Sequence, residues 1–172
     1  SSDLSTGICF IGERPFPSFL ENYINDKPGK IICDKGNEVG MHRGLSFYTL
    51  GQRQGLGIGG LKDYDERPWY VVEKKLSENI LVVAQGNDNQ QLFNNKLSVD
   101  SINWICEPDL TEPIKLEAKI RYRQDDQECI LSKKGKTFSV EFRKPQRAIT
   151  PGQSIVFYQD NICLGGGEIY KS

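Results

Sequence analysis

The sequence predicts a mainly β protein with one or two short helices: a small α+β central domain followed by a small antiparallel β-barrel. Three observations predict it. Short apolar runs rich in Val, Ile, Phe and Tyr recur along the chain, set off by Gly, Asn, Asp and Pro. A single stretch carries helical periodicity. At about Phe93 the texture changes to closely spaced short strands, after the polar run "GNDNQQLFNN".

The helical stretch is "RPFPSFLENYINDKPG". Phe16, Phe19, Leu20, Tyr23 and Ile24 fall at the spacing of one buried helix face. Pro17 suits a first turn, and "DKPG" at Asp26–Gly29 ends the helix. "KIICDKGNEVG" then reads as a hairpin turning at Lys35-Gly36-Asn37. From Met41 to Gly60, glycine occurs at 44, 51, 55, 57, 59 and 60, too often for a regular element. This loop lacks the Gly-Lys-Ser/Thr ending of a phosphate-binding P-loop and the strand–helix setting of a dinucleotide fingerprint. "WYVVEKK" and "NILVVAQG" read as two strands joined at Leu76-Ser77-Glu78. Beyond a boundary between Gly86 and Asn95, strands are predicted over 96–103, 114–123, 128–132, 137–142, 154–158 and 162–164, the spacing of a small barrel or sandwich.

Composition narrows the function. The net charge is −1 and hydrophobic content is 37%, a globular composition that leaves nucleic-acid contact to a local basic patch. No apolar run approaches the ~18 residues of a membrane span, and the start lacks the apolar core of a signal peptide, so no membrane partner is expected. Five cysteines stand far apart, without a C-x-x-C pair, and His42 is the single histidine. No metal site is expected from that set, and unpaired cysteines point to a reducing, cytoplasmic setting. The chain begins with Ser1, which reads as the start of an excised or processed piece.

Two features could carry chemistry. In "IKLEAKIRYR", Ile114, Leu116, Ala118, Ile120 and Tyr122 alternate with Lys115, Glu117, Lys119, Arg121 and Arg123. The second face is either a solvated strand surface or a positive strip for a phosphate backbone, with Tyr122 as a stacking ring. A second basic cluster holds Arg143, Lys144 and Arg147. The other feature is Cys9, within Ile8-Cys9-Phe10-Ile11 and bracketed by Gly7 and Gly12. By pattern alone it is a buried apolar filler or a nucleophile on a loop. A Cys–His dyad would have to pair Cys9 with His42, and nothing in the spacing brings them together.

"STGICFIGERPFPSFLENYI", "GMHRGLSFYTLGQRQGLGIGG" and "RAITPGQSIVFYQDNICLGGGEI", with "RPWYVVEKKLSENILVVAQG" and "IRYRQ" in the same order, resemble the C-terminal half of the tRNA-specific 2-thiouridylases. The resemblance runs through nearly the whole chain. It implies sulfur transfer to the 2-position of the wobble uridine in tRNAs for Lys, Glu and Gln. It also implies three parts: residues 1–14 as the end of a catalytic domain carrying the cysteine loop, 15–92 as the central domain, and 93–172 as the C-terminal β-barrel. The family's nucleotide-binding loop and first catalytic cysteine match nothing here. ATP and Mg²⁺ are therefore expected in the full-length enzyme, with no cofactor bound by this portion and no activity from it alone.

By the same resemblance, Cys9 is the catalytic cysteine that carries a persulfide, supplied by a sulfur-donor protein, and ends the cycle in a disulfide. Arg121, Tyr122 and Gln153 fall on the family's tRNA-contacting positions, with Arg123 as a further candidate. The Gly44–Gly60 loop is expected to support the catalytic domain or the tRNA. The alternative is a stand-alone RNA-binding barrel without catalysis.

Overall fold

The computed structural model describes residues 27–60 and 64–171. Cys9 and the helix expected over Phe16–Ile24 lie outside them. The described residues form a four-stranded sheet and a closed six-stranded barrel.

Strands β1 (Gly29–Cys33) and β2 (Glu38–His42) form the expected hairpin. Gly36 supplies the positive φ of 87° at its turn, and the Cys33 amide donates to the Asn37 carbonyl at 2.8 Å. Strands β3 (Trp69–Lys75) and β4 (Ile80–Gln85) form a second antiparallel pair. The two pairs join through parallel pairing of β1 with β4, from Lys30 opposite Ile80 to Cys33 opposite Val83, giving the order β2-β1-β4-β3. This central position accounts for the unbroken apolar run of β4, where Leu81, Val82, Val83 and Ala84 are all buried.

The glycine-rich loop closes one face of the sheet. Leu45, Tyr48 and Leu56 pack with Ile31, Val71, Leu81 and Val83. Lys74 Nζ donates to the carbonyls of Leu45 and Tyr48 at 3.0 and 2.6 Å. The loop also covers the outer edge of β3: the Gly51 amide donates to the Val71 carbonyl and the Val71 amide to the Gln52 carbonyl. Its apolar members are core, which explains why a segment so rich in glycine holds one path.

Asn89 caps a short 3₁₀ turn at Gln90–Leu92, accepting from the Gln91 amide at 3.0 Å, and the chain enters the barrel. The barrel strands are β5 (Phe93–Trp104), β6 (Ile114–Lys119), β7 (Gln127–Lys134), β8 (Thr137–Arg147), β9 (Ser154–Gln159) and β10 (Ile162–Lys171). They close in the order β10-β5-β8-β7-β6-β9, every pair antiparallel. Leu97, Val99, Leu131, Val140, Phe142, Ile155, Phe157 and Ile169 fill the interior. Full burial of each such side chain contributes roughly 1.5–3 kcal/mol.

Three strand limits depart from the sequence reading. β10 runs on through Gly165-Gly166-Gly167 instead of ending at Leu164. A Cβ on Gly167 would lie 2.2 Å from the Ser101 carbonyl oxygen and one on Gly165 2.4 Å from that of Asn103, so glycine permits the close approach that shuts the barrel. β8 continues past Phe142 to Arg147, across a bulge: Asn94 pairs with Gln146, but Lys96 pairs with Glu141. Arg143, Lys144 and Pro145 occupy that irregular stretch, where proline's missing donor disturbs no ladder. β6 stops at Lys119 instead of Arg123, and Tyr122, predicted on the inward face, is 97% exposed. The chain turns there, with the Gln124 amide donating to the Arg121 carbonyl at 3.1 Å.

Candidate nucleic-acid interface

The barrel has two mouths. Trp104 plugs one, its ring 6.3 Å from Phe138 and 6.1 Å from Phe157. The other gathers the ends of strands by register. Phe93 pairs with Arg147, Ala118 with Gln127, and Glu168 with Ser154. The β6–β7 turn, the end of β8 and the Thr150–Gln153 turn into β9 therefore share this mouth.

Arg121 anchors it. Its Nη2 donates to the carbonyls of Arg147 at 3.0 Å and Ala148 at 3.3 Å. Ala148 holds a positive φ of 50°, unfavourable by on the order of 1 kcal/mol for a residue with a Cβ. Its amide donates to the Leu92 carbonyl at 2.6 Å, which fixes the bend and joins the barrel to the sheet unit. Arg147 lays its guanidinium over the Tyr70 ring, 5.1 Å from the centroid, across the same junction.

Arg121, Arg123 and Arg147 line one cleft of about 410 Å³, with Phe93, Ile120 and Pro145 as its apolar walls. Burial, and then the neighbouring Arg147 charge, push the Arg121 pKa down from its ordinary value. Among the described residues no carboxylate lies within 4.0 Å of any of these three guanidiniums. Cations gathered at one cleft without a neighbouring carboxylate among the described residues attract an anion, and a guanidinium fork matches phosphate geometry.

Two of the other basic residues in these clusters are paired with carboxylates. Lys119 pairs with Asp126 at 3.4 Å and Arg143 with Glu128 at 2.6 Å. The Arg143 guanidinium holds the Glu128 carboxyl below its usual pKa. The strip was read along one strand, but these partners come from the next turn and the next strand, which alternation cannot show. Of the two basic clusters, Arg147 joins Arg121 and Arg123 at the cleft, while Arg143 lies in a separate groove beside Glu128.

Tyr122 projects from the same turn into solvent, as a stacking ring must. Gln153 is half-buried at the same mouth and does not line the cleft. Its carbonyl accepts from the Ile169 amide at 2.8 Å, which pins the turn to β10. Sequence reasoning passed over Gln124, Gln127 and Gln146, whose amides join along the wall of the cleft. Their only signal was a glutamine beside each basic cluster.

The described cysteines and the histidine offer no second site. Cys129 lies in the barrel core, where burial and then the Glu117 charge push its thiol up to about 12. Cys33 is buried at the end of β1, its Sγ 3.3 Å from the Tyr64 hydroxyl. His42 is 1% exposed, and its Nε2–H donates to the Asn79 carbonyl at 3.1 Å, so it serves packing rather than an exposed dyad. Beside the glycine-rich loop, Arg53, Tyr64, Arg67 and Trp69 line another cleft of about 570 Å³, where Arg67 is paired with Asp65.

Comparison with known proteins agrees with the two units. Residues 17–85 match the family described as "tRNA methyl transferase PRC-barrel domain", and residues 94–169 match "Aminomethyltransferase beta-barrel domain". A relative named "tRNA-specific 2-thiouridylase MnmA" from Stutzerimonas stutzeri (strain A1501) is 53% identical over 168 residues, covering 98% of this chain and 45% of the relative. Proteins of the same name from Pseudomonas fluorescens (strain SBW25) and Pseudomonas aeruginosa (strain LESB58) are 54% and 52% identical over 165 residues, 96% of this chain and 44% of each relative. The chain spans less than half the length of these curated relatives. It belongs to the family of tRNA-specific 2-thiouridylases.

Proposed function

We propose that this chain is the C-terminal portion of a tRNA-uridine 2-sulfurtransferase, and that the Arg121–Arg123–Arg147 cleft and the Tyr122 ring form part of its tRNA-binding surface. The observation that carries the interface is the cleft itself: three arginines with no carboxylate partner among the described residues at one barrel mouth, beside an exposed tyrosine. The names of the relatives supply the substrate. Arg121, Arg123 and Arg147 meet backbone phosphates, Tyr122 stacks on an unpaired base, and Gln153 contributes a neutral contact.

Within that reading, Cys9 carries the sulfur. A donor protein's persulfide passes its outer sulfur to the Cys9 thiolate and is left as a thiolate, and the uridine 2-oxygen is adenylated by ATP with release of pyrophosphate. The terminal persulfide sulfur attacks carbon 2, and AMP leaves with the former 2-oxygen. A second cysteine thiolate then attacks Cys9 Sγ. The S–S bond breaks, the sulfur stays on the uridine, and a Cys–Cys disulfide remains. ATP, Mg²⁺ and the second cysteine belong to the part of the full-length protein that this chain does not match. The tRNAs are those for Lys, Glu and Gln, and the reaction is cytoplasmic.

A photo-crosslinking amino acid at position 122 tests the interface. Crosslinks to the anticodon arm of a tRNA for Glu support it. Crosslinks absent there but present from position 130, on the barrel wall, refute it.

A further inference from the structure

Gln146 is one of two buried polar side chains among the described residues, at 4% exposure, and it lines the cationic cleft between Pro145 and Arg147. A buried primary amide is costly unless its donors and acceptor are met. Here they are met in one direction only. Gln146 Nε2 donates to the Lys144 carbonyl at 2.8 Å and to Gln127 Oε1 at 3.3 Å. Gln146 Oε1 accepts from Gln124 Nε2, and Gln124 Oε1 accepts from the Ile120 amide at 3.3 Å. The ends of this relay are backbone groups of fixed character: a carbonyl that can only accept and an amide that can only donate. They set the orientation of both side-chain amides between them.

The relay grips the β6–β7 turn at Ile120, Gln124 and Gln127, on both sides of Arg121, Tyr122 and Arg123. It ties that turn to β8 at residues 144 and 146, next to Arg147. The amide groups of Gln124 and Gln146 are thereby committed to the scaffold.

We infer that Gln146, acting through Gln124, is a positioning residue that holds the Arg121–Arg123 turn in register with Arg147, so that three guanidiniums meet one stretch of phosphate backbone. The inference rests on the proposed tRNA-binding surface and adds to it the element that sets its geometry. Three free-swinging arginines would attract RNA through charge alone; a fixed set also matches phosphate spacing.

The test uses Gln146→Glu, Gln146→Leu and Gln124→Leu in the full-length protein, with a tRNA transcript for Glu as the probe. Tm and far-UV circular dichroism report folding, and affinity is measured across a salt series. Gln146→Glu keeps the shape but sets a carboxylate oxygen against the Lys144 carbonyl and Gln127 Oε1. Each variant should weaken binding by roughly tenfold, the scale of one charge-assisted contact. Each should also reduce the slope of log K against log salt by roughly 0.7–0.9. In an Arg121→Ala background the same changes should weaken binding much less, because the positioned group is gone. A merely structural glutamine would lower Tm and leave the slope of the folded protein unchanged, and that result overturns the inference. If Gln146→Glu and Gln146→Leu do not fold, the half-exposed Gln124→Leu decides on the same readouts. If Arg121→Ala itself leaves tRNA affinity untouched, the tRNA-binding reading has failed. If Arg121→Ala weakens binding and the glutamine variants do not, only the positioning role has failed.

Discussion

Arg121→Ala separates two contributions that meet in one side chain. Inside the protein, the change removes two hydrogen bonds from a charged donor, to the carbonyls of Arg147 and Ala148. Bonds of this kind contribute roughly 1.5–3 kcal/mol when buried, and solvent reduces that at an exposed turn, so a stability loss of about 1 kcal/mol is expected. In the proposed tRNA contact, the change would remove one phosphate neutralisation. The slope of log K against log salt should fall by roughly 0.7 for single-stranded and 0.9 for duplex contact. Between 50 and 200 mM salt the variant should therefore lose roughly threefold less affinity than the parent over the same interval. Fluorescence anisotropy with labelled tRNA at four salt concentrations reads the slope, and urea unfolding reads the stability. Arg121→Lys should keep most of the slope yet bind more weakly, since an ammonium cannot hold two carbonyls and a phosphate in one plane. A variant with unchanged affinity and slope would refute the reasoning and leave the cleft a solvated surface. Full recovery with lysine would refute the geometric part alone.

Other outcomes follow from the same geometry. Gln153→Ala should weaken tRNA binding with little change in salt slope, because an amide displaces no counterion; the same anisotropy series checks it. The 172-residue chain alone, given ATP, tRNA and a sulfide source, should form no 2-thiouridine above background by nucleoside mass spectrometry. Cys129 should withstand iodoacetamide in the native state at pH 8 while exposed Cys106 reacts. Its thiol keeps its proton up to about 12 when folded but loses it from about 9 when unfolded, so the unfolded state binds fewer protons and stability falls as pH rises through that window. Cys129→Ala should lower stability at neutral pH and flatten this alkaline decline in urea midpoints between pH 8 and 10.

Local pattern made both hairpins of the sheet and most barrel strands legible, because turn residues and period-two alternation are local signals. Parallel pairing of β1 with β4 was not legible, since it is decided by residues some fifty positions apart. The end of β6 misled for a physical reason. Alternation continues to Tyr122, but Gln124 takes the Ile120 amide with its own side chain and the chain turns. β10 misled the other way: three glycines read as a loop until the barrel neighbours they must admit are known. At the site, alternation put Arg121 in a basic strip and offered Tyr122 as a stacking ring, though on the inward face; the resemblance singled out both as tRNA-contacting positions. Convergence of Arg147 on Arg121 is set by register and bulge, and neither is written in a single strand.

The role proposed for Cys9 is tested by 2-thiouridine formation in the full-length protein carrying Cys9→Ser, measured by nucleoside mass spectrometry of tRNA for Glu with tRNA affinity measured beside it. A hydroxyl keeps the shape of the side chain but cannot carry a transferable sulfur. Loss of thiolation is expected, with tRNA binding and ATP-dependent activation of the uridine nearly intact, and little loss of stability. Retained thiolation, with a lower urea midpoint from a hydroxyl buried at a cost of about 1–3 kcal/mol, would make Cys9 a core residue and exclude it as the sulfur carrier.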